Sequence, residues 1–212
     1  MNCFSYAWGI IANPVKTIRR LNDDPKRLLY GFFGVLTLGV LYAATALILW
    51  SRGIGVESNW IRIPCEQHYL WQGFFNLPVS IAGGLLTSSV IYLIMPRNTR
   101  NTANTCKKSF SEFLDNDKFD DVLAAVGLPY GILVLPLMWL PETLVAIFWP
   151  SLWTTPVWKI VSLFRVGFGS LWVLMSIIIA VKETCKPSWA RAVFVGLVGM
   201  IAGLALSIVF IR

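Results

Sequence analysis

Residues 122–148 read VLAAVGLPYGILVLPLMWLPETLVAIF, and residues 160–181 read IVSLFRVGFGSLWVLMSIIIAV. Each stretch reaches the length of about 20 apolar residues that an α-helix needs to cross a bilayer. Each also contains a single charged residue, and only a short connection separates the two stretches. They therefore predict two neighbouring membrane-spanning helices that form an antiparallel hairpin.

Three further apolar stretches, which contain no charged residue, lie at residues 30–50, 69–95 and 192–211. The whole chain of 212 residues has 14% charged residues, whereas an ordinary soluble domain has about 25%. So little charge excludes a soluble enzyme. The sequence predicts an all-α, polytopic membrane protein: a bundle of five transmembrane helices over residues 30–212, preceded by a cytoplasmic amphipathic segment at residues 1–29.

The distribution of Lys and Arg predicts the orientation, because basic residues collect on the cytoplasmic side of membrane proteins. Thirteen basic residues flank the spans on the side of the N-terminus: Lys16, Arg19, Arg20, Lys26, Arg27, Arg97, Arg100, Lys107, Lys108, Lys118, Lys182, Lys186 and Arg191. Four flank them on the other side: Arg52, Arg62, Lys159 and Arg212. We expect a cytoplasmic N-terminus and an external C-terminus, in a prokaryotic plasma membrane.

A helix is predicted to begin after Asn13, because Asn is a good cap residue and Pro14 suits the first helical position. The helix has a basic face and an apolar face, an arrangement that is typical of helices lying in the plane of an anionic membrane leaflet. We expect an interfacial helix that contacts lipid headgroups through Lys16, Arg19, Arg20, Lys26 and Arg27. The alternative is a segment that only anchors the topology.

Small residues recur at a spacing of four along several spans, most clearly at Gly199, Gly203 and Ser207 in the last one. The same spacing occurs at Gly39–Ala43, Gly127–Gly131 and Ala192–Gly196. Such spacing lets helices approach closely in lipid. Helix packing within one chain is the simpler interpretation, and homodimerisation is the alternative.

Glu142 and Arg165 are the charged residues of the third and fourth spans. A rise of 1.5 Å per residue places them about 9 Å and about 8 Å from the external ends of their spans, so they lie at matching depth. We predict an ion pair that joins these two helices. A role in proton or substrate transfer, or an unpaired arrangement in which both side chains reach the surface, remains open.

The third span also contains Pro129, Pro136 and Pro141, each of which lacks a backbone donor and can kink a helix. A break at Pro141 would place Glu142 at the start of a short external half-helix, close to the positive end of the helix dipole. Because broken helices line some transport sites, a carrier stays among the hypotheses.

Signatures of catalysis and of metal binding are absent from the sequence. The single His excludes HExxH, and neither a GxSxG elbow, a phosphate-binding loop nor CxxC occurs. Two weak candidates for a metal site remain, Cys65 with Glu66 and His68, and Asp115 with Asp117, Asp120 and Asp121. The sequence predicts no enzyme, no cofactor, no metal and no nucleic-acid partner.

A set of Gly and Pro motifs accompanies the five spans: Asn13-Pro14, Asp24-Pro25, Gly31, Gly34, Gly127-Leu128-Pro129-Tyr130 and Pro136. Their order over nearly the whole chain resembles that of the Yip domain family. The resemblance implies a five-span bundle with a cytoplasmic N-terminus, of the prokaryotic type. Eukaryotic members are associated with Rab-type GTPases and vesicle traffic. Only 29 residues precede the first span here, so GTPase binding is not carried over.

Two functions follow as hypotheses. The first is a non-catalytic protein of the Yip type that acts as a scaffold, accessory subunit or membrane-organising factor, with membrane lipids and other membrane proteins or further copies of itself as partners. The second is a small carrier or channel that uses Glu142, Arg165 and the third span. A scaffold predicts stable partners, and a carrier predicts flux through the isolated chain.

Overall fold

The computed structural model of the protein describes residues 2–54, 65–95, 116–153 and 155–211; the side chains of residues 65, 116–118 and 208–211 lie outside this description. The basic residues Arg62, Arg97, Arg100, Lys107, Lys108, Lys118 and Arg212 therefore lie outside the described side chains. The helices are α1 (Cys3–Ala12), α2 (Pro14–Asn22), α3 (Arg27–Ser51), α4 (His68–Ile94), α5 (Asn116–Ile132), α6 (Leu140–Phe148), α7 (Pro156–Cys185) and α8 (Trp189–Ile211).

Five helical segments in the described part are long and apolar enough to cross a membrane, which confirms the predicted all-α five-span bundle. They make the chain an integral membrane protein. The fourth span extends beyond its predicted limits, because the Thr155 side chain caps α7 and Pro156 occupies a first-turn position. The segments are Arg27–Ser51, His68–Ile94, Phe119–Phe148, Pro156–Cys185 and Trp189–Ser207.

The third span lies in the centre of the bundle. Its most apolar window is 61% buried, whereas that of every other span is 33–39% buried. The helix α5 packs against α3, α4 and α7, while α8 packs against α4 and α7. The four outer helices therefore follow one another in the order α3, α4, α8 and α7, and three of them, α3, α4 and α7, contact α5.

Glycines bring α3 and α5 into backbone contact. A Cβ atom added at Gly127 would lie 2.8 Å from the carbonyl oxygen of Gly31. One added at Gly131 would collide with the carbonyl oxygen of Gly34. These four glycines are among those that the sequence analysis singled out, and they allow the closest helix crossing described in the bundle.

The stripe of small residues on α8 faces α4 of the same chain. A Cβ added at Gly199 would meet Ile91, and one added at Gly203 would meet the Thr87 hydroxyl. Ser207 donates a hydrogen bond to the carbonyl oxygen of Gly203, 3.1 Å away. This stripe is thus used for packing within one chain, so it is not a free surface for a second copy.

The helices α1 and α2 share the core of the bundle. Asn13 caps α2 as expected, accepting from the backbone N–H of Lys16. The apolar face of α2 packs on protein rather than on lipid, and Ile18 and Leu21 are fully buried. Together α1 and α2 reach from α3 across α5 to α7. The apolar side of the N-terminal segment, which the sequence predicts as a cytoplasmic amphipathic segment, thus packs against the helices of the bundle.

Candidate functional site

The charged residues of the membrane interior meet beside an irregular turn of the third span. Residues Leu135–Trp139 form a π-helical turn between α5 and α6, in which the Leu140 N–H bonds the carbonyl oxygen of Leu135 five residues earlier. Such turns are rare and frequently occur at functional sites. Glu142 follows in the first turn of α6, which continues directly from this π-helical turn.

The structure brings Glu142 and Arg165 together. Arg165 Nη2 lies 2.6 Å from Glu142 Oε1, and both side chains are largely buried, with 10% and 21% exposure respectively. The same nitrogen lies 3.4 Å from the hydroxyl of Ser162. The Trp158 ring faces the guanidinium carbon at 5.3 Å from the ring centroid, within the range of a cation–π interaction.

The second guanidinium nitrogen of Arg165 contacts the backbone of the π-helical turn. Arg165 Nη1 donates to the carbonyl oxygen of Leu137 at 3.0 Å and also to that of Met138. Pro141 follows Leu137 by four residues and has no N–H to bond that oxygen. Arg165, on α7, therefore donates a hydrogen bond to an oxygen that position 141 of the third span cannot bond, because proline has no backbone N–H.

The three prolines leave the span helical. Pro129 lies inside α5, Pro136 lies in the π-helical turn and Pro141 lies in the first turn of α6. The residues on either side of the start of α6, Trp139 and Leu140, keep right-handed helical dihedral angles. The sequence suggested a break at Pro141, but the irregularity is the wider π-helical turn that precedes it.

A neutral hydrogen-bond network joins the same region to α3. The Trp139 indole N–H lies 2.9 Å from the carbonyl oxygen of Leu41 and 3.0 Å from the hydroxyl of Thr45. The Thr45 and Thr143 hydroxyls lie 2.7 Å apart, and Thr143 donates to the carbonyl oxygen of Trp139. Together with the ion pair, this network connects α3, α6 and α7.

The roles of Trp139, Thr45 and Thr143 were not predicted from the sequence. An indole, unlike a phenyl ring, carries a donor that is costly to leave unpaired in a membrane, and this property was a signal available in the sequence. The hydroxyl partners lie 94 and 98 positions away along the chain from the residues they bond, and such partners become neighbours only through tertiary packing.

The basic residues predicted to contact headgroups have different environments. Lys16, Arg19, Arg20 and Lys26 are exposed. Arg27 is not, because it forms an ion pair with Asp121 of α5 and its Nε is buried. Arg27 is thus better described as a link between α3 and α5 than as a contact for lipid.

One ion pair joins α2 to the bundle, and hydrogen bonds to Asp24 join α1 to the α2–α3 connection. Arg19 Nε lies 2.6 Å from Glu183 of α7. Asp24 accepts from the Lys26 N–H at 2.9 Å and from the Tyr6 hydroxyl at 2.8 Å. These bonds, the one from Lys26 first, lower the pKa of Asp24, while burial and the bond to Asp24 raise the pKa of Tyr6.

In the two candidate metal sites, His68 and Asp121 contact other side chains of the protein. His68 is buried, and its Nε2 accepts from the Gln72 side-chain amide at 3.0 Å. Asp121 pairs with Arg27, whereas Cys65, Asp115 and Asp117 have side chains outside the description. Among the residues described, no group of three or more His, Cys, Asp or Glu side chains is placed to hold a metal ion. The absence of a metal remains a prediction.

Comparisons of the chain with protein-family models, with curated proteins and with solved structures found no match. The resemblance to the Yip domain family is therefore carried only by the Gly and Pro motifs and by the five-span architecture.

Proposed function

We propose that this integral membrane protein is non-catalytic and acts as a scaffold or accessory subunit for other membrane proteins, in the manner of the Yip domain family. One observation carries the proposal: Arg165 directs both terminal nitrogens at groups of its own bundle, namely the Glu142 carboxylate and the carbonyl oxygens of Leu137 and Met138. A transport site needs polar groups that face the path of a substrate. Groups that bond each other favour a structural role.

The proposed orientation places the N-terminus in the cytoplasm and the C-terminus outside, in a prokaryotic plasma membrane. The unequal distribution of Lys and Arg supports it. In this orientation α1, α2 and the α7–α8 turn present a basic surface to the cytoplasmic leaflet. Membrane lipids and the cytoplasmic segments of partner proteins are then the ligands that this surface meets.

Mass spectrometry of everything that stays bound after extraction of the protein from its native membrane in mild detergent tests the scaffold proposal. We expect a second membrane protein in stoichiometric amount. Samples cross-linked before extraction control for partners that detergent removes. Recovery of the chain alone, or only as a homo-oligomer, from both samples would contradict an accessory role.

A small carrier is the second candidate function, and two observations favour it. The ion pair lies directly beside a π-helical turn, and Arg165 Nε is buried without a hydrogen-bond partner among the residues described. Proton flux into proteoliposomes, followed with an entrapped pH-sensitive dye, separates the two functions. A scaffold gives the flux of protein-free vesicles, whereas flux that Glu142→Gln abolishes would establish a carrier.

A further inference from the structure

Helix α1 is apolar on two faces, of which the protein covers only one. Tyr6 and Ile10 are buried in the core. Phe4 and Trp8, which lie one turn apart on the other face, are 82% and 71% exposed. In water these two aromatic side chains would lose the stabilisation that burial of apolar surface provides. The exposed face of α1 is therefore suited to an apolar or interfacial environment.

The position of α1 relative to the bundle indicates which environment this is. The Tyr6 ring lies 4.9 Å from the ring of Tyr30, which belongs to the first turn of the membrane-spanning helix α3. Helix α1 thus lies at the level where α3 enters the membrane. Aromatic side chains are enriched at this level, between the hydrocarbon and the headgroups.

Exposed cations lie on the elements next to α1. Helix α2 crosses α1 closely, since a Cβ at Gly9 would lie 2.6 Å from the Thr17 hydroxyl. Lys16 on α2 and Lys26, which directly precedes α3, have exposed side chains. The contact between Arg19 and Glu183 brings the end of α7 to α2. The α7–α8 turn and the start of α8 add three exposed side chains there, Lys186, Trp189 and Arg191.

Acidic groups on this surface are few among the residues described. Glu183 is paired with Arg19, and Asp24 is bonded to Tyr6 and to the Lys26 backbone. Asp23 is exposed. The surface therefore combines an exposed aromatic pair with an excess of cations, which are the two signals that together give stable binding to an anionic membrane surface.

We propose that α1, α2 and the α7–α8 turn form a binding surface for anionic phospholipids. Phe4 and Trp8 enter the boundary between headgroups and acyl chains, and Lys16, Lys26, Lys186 and Arg191 contact lipid phosphate. This inference deepens the proposed function, because it names the ligand of the basic surface. It adds the exposed apolar face of α1 and the cations of the α7–α8 turn to the headgroup contacts that the sequence predicted for basic residues 16–27.

Native mass spectrometry of the purified full-length protein, released from nanodiscs made of equal parts phosphatidylglycerol and phosphatidylcholine, tests the inference. The wild-type protein should retain phosphatidylglycerol in preference to phosphatidylcholine. A Lys near an anionic surface contributes about 1 kcal/mol, so K16Q/K26Q should weaken phosphatidylglycerol binding about thirtyfold. Its binding of phosphatidylcholine should not change.

Two further variants separate charge from insertion. The variant F4S/W8S should reduce retention of both lipids, because it removes apolar contact rather than charge. The matched control R52Q/K159Q removes two basic residues from the opposite end of the bundle and should leave retention at the wild-type level. A loss in the control equal to that in K16Q/K26Q would overturn the inference.

The wild-type protein alone keeps the inference testable if a variant fails to fold. Equal retention of the two lipids would overturn it. Displacement of phosphatidylglycerol by a polyglutamate peptide, but not by the same charge of inorganic phosphate, would overturn it in favour of an acidic protein segment. These measurements use only purified protein and defined lipids. The lipid inference can therefore be wrong while the native membrane yields a stoichiometric partner, and it can be right while no such partner is found.

Discussion

At the scale of single residues, Pro141, Glu142 and Arg165 act together. Pro141 has no N–H to bond the carbonyl oxygen of Leu137, and Arg165 bonds this oxygen from α7. Glu142 neutralises the charge that the guanidinium brings into the membrane. A Lys in place of Arg165 has no planar fork with which to reach the carboxylate and the backbone oxygens together.

We expect Arg165→Leu to destabilise the protein more than the double variant E142L/R165L. The single change leaves a buried carboxylate without its partner, a loss of about 3–5 kcal/mol, whereas the double change removes both charges. Unfolding in mild detergent by added denaturing detergent measures the difference. Equal destabilisation in the two variants would contradict the cost assigned to the unpaired buried carboxylate.

Pro141→Ala should reduce the effect of losing Arg165. The alanine restores a backbone N–H that can bond the carbonyl oxygen of Leu137, so this oxygen no longer depends on α7. Arg165→Leu should therefore cost about 1 kcal/mol less in the Pro141→Ala background than in the wild type. The same detergent titration measures the stability lost by Arg165→Leu in both backgrounds. An equal loss would mean that the contact of Arg165 with the Leu137 carbonyl oxygen does not contribute to stability.

Asp24 makes the stability of the protein depend on pH through its contacts in the N-terminal region. Its pKa in the folded protein is lowered by the bonds from Lys26 and Tyr6, so its contribution to stability is present above the ordinary Asp pKa of about 3.9. This contribution is lost as the pH falls from about 5 through the lowered folded pKa. Asp24→Asn should flatten the acid limb of the stability curve, and an unaltered limb would exclude Asp24 as its source.

At the scale of elements, the glycines divide into two kinds. A Cβ at Gly131 of α5 would collide with the carbonyl oxygen of Gly34, whereas one at Gly167 of α7 has no atom within 4 Å. The first glycine is needed for the backbone contact between α3 and α5. The second is exposed on the surface of its helix.

Gly131→Ala and Gly167→Ala form a matched pair of substitutions. We expect Gly131→Ala to destabilise the protein by about 1–3 kcal/mol or more, because α3 must move away from α5. Gly167→Ala should be neutral or stabilising by up to about 1 kcal/mol, the usual gain for Ala over Gly in a helix. The detergent titration again reports both values, and similar losses would mean that the crossing tolerates a methyl group.

At the scale of the whole molecule, short helical elements contact both α3 and α7 at two levels of the bundle. Helices α1 and α2 bridge from α3 to α7 at the end where α3 begins. The π-helical turn contacts both α3 and α7 farther along, and α6 adds contacts to α3. Among the described residues, α1 and α2 therefore cover α5 between α3 and α7, and the π-helical turn and α6 continue the third span between the same two helices.

The orientation of the whole molecule can be tested by reporter fusions. Because basic residues are concentrated beside the N-terminus and the α7–α8 turn, a C-terminal alkaline phosphatase fusion should be active in bacteria and a C-terminal green fluorescent protein fusion should be dark. Exchanging Lys182, Lys186 and Arg191 for Gln is a control that weakens the charge bias. A fluorescent C-terminal fusion would contradict an external C-terminus.

The amino-acid sequence by itself determined the number and approximate limits of the membrane spans, because each helix in lipid must satisfy its own backbone and be apolar over about 20 residues. It also indicated that Glu142 and Arg165 lie at matching depth in adjacent helices. Both conclusions depend only on local composition and on the regular rise of a helix.

Only the tertiary structure decided which neighbours each helix surface contacts. In the folded protein the apolar face of α2 packs against the bundle, Arg27 pairs with Asp121, and the Thr45 hydroxyl lies beside the Trp139 indole. The physical reason is that an amphipathic helix can bury its apolar face against protein or against lipid. The choice depends on the shape of the neighbouring helices, which local sequence does not contain.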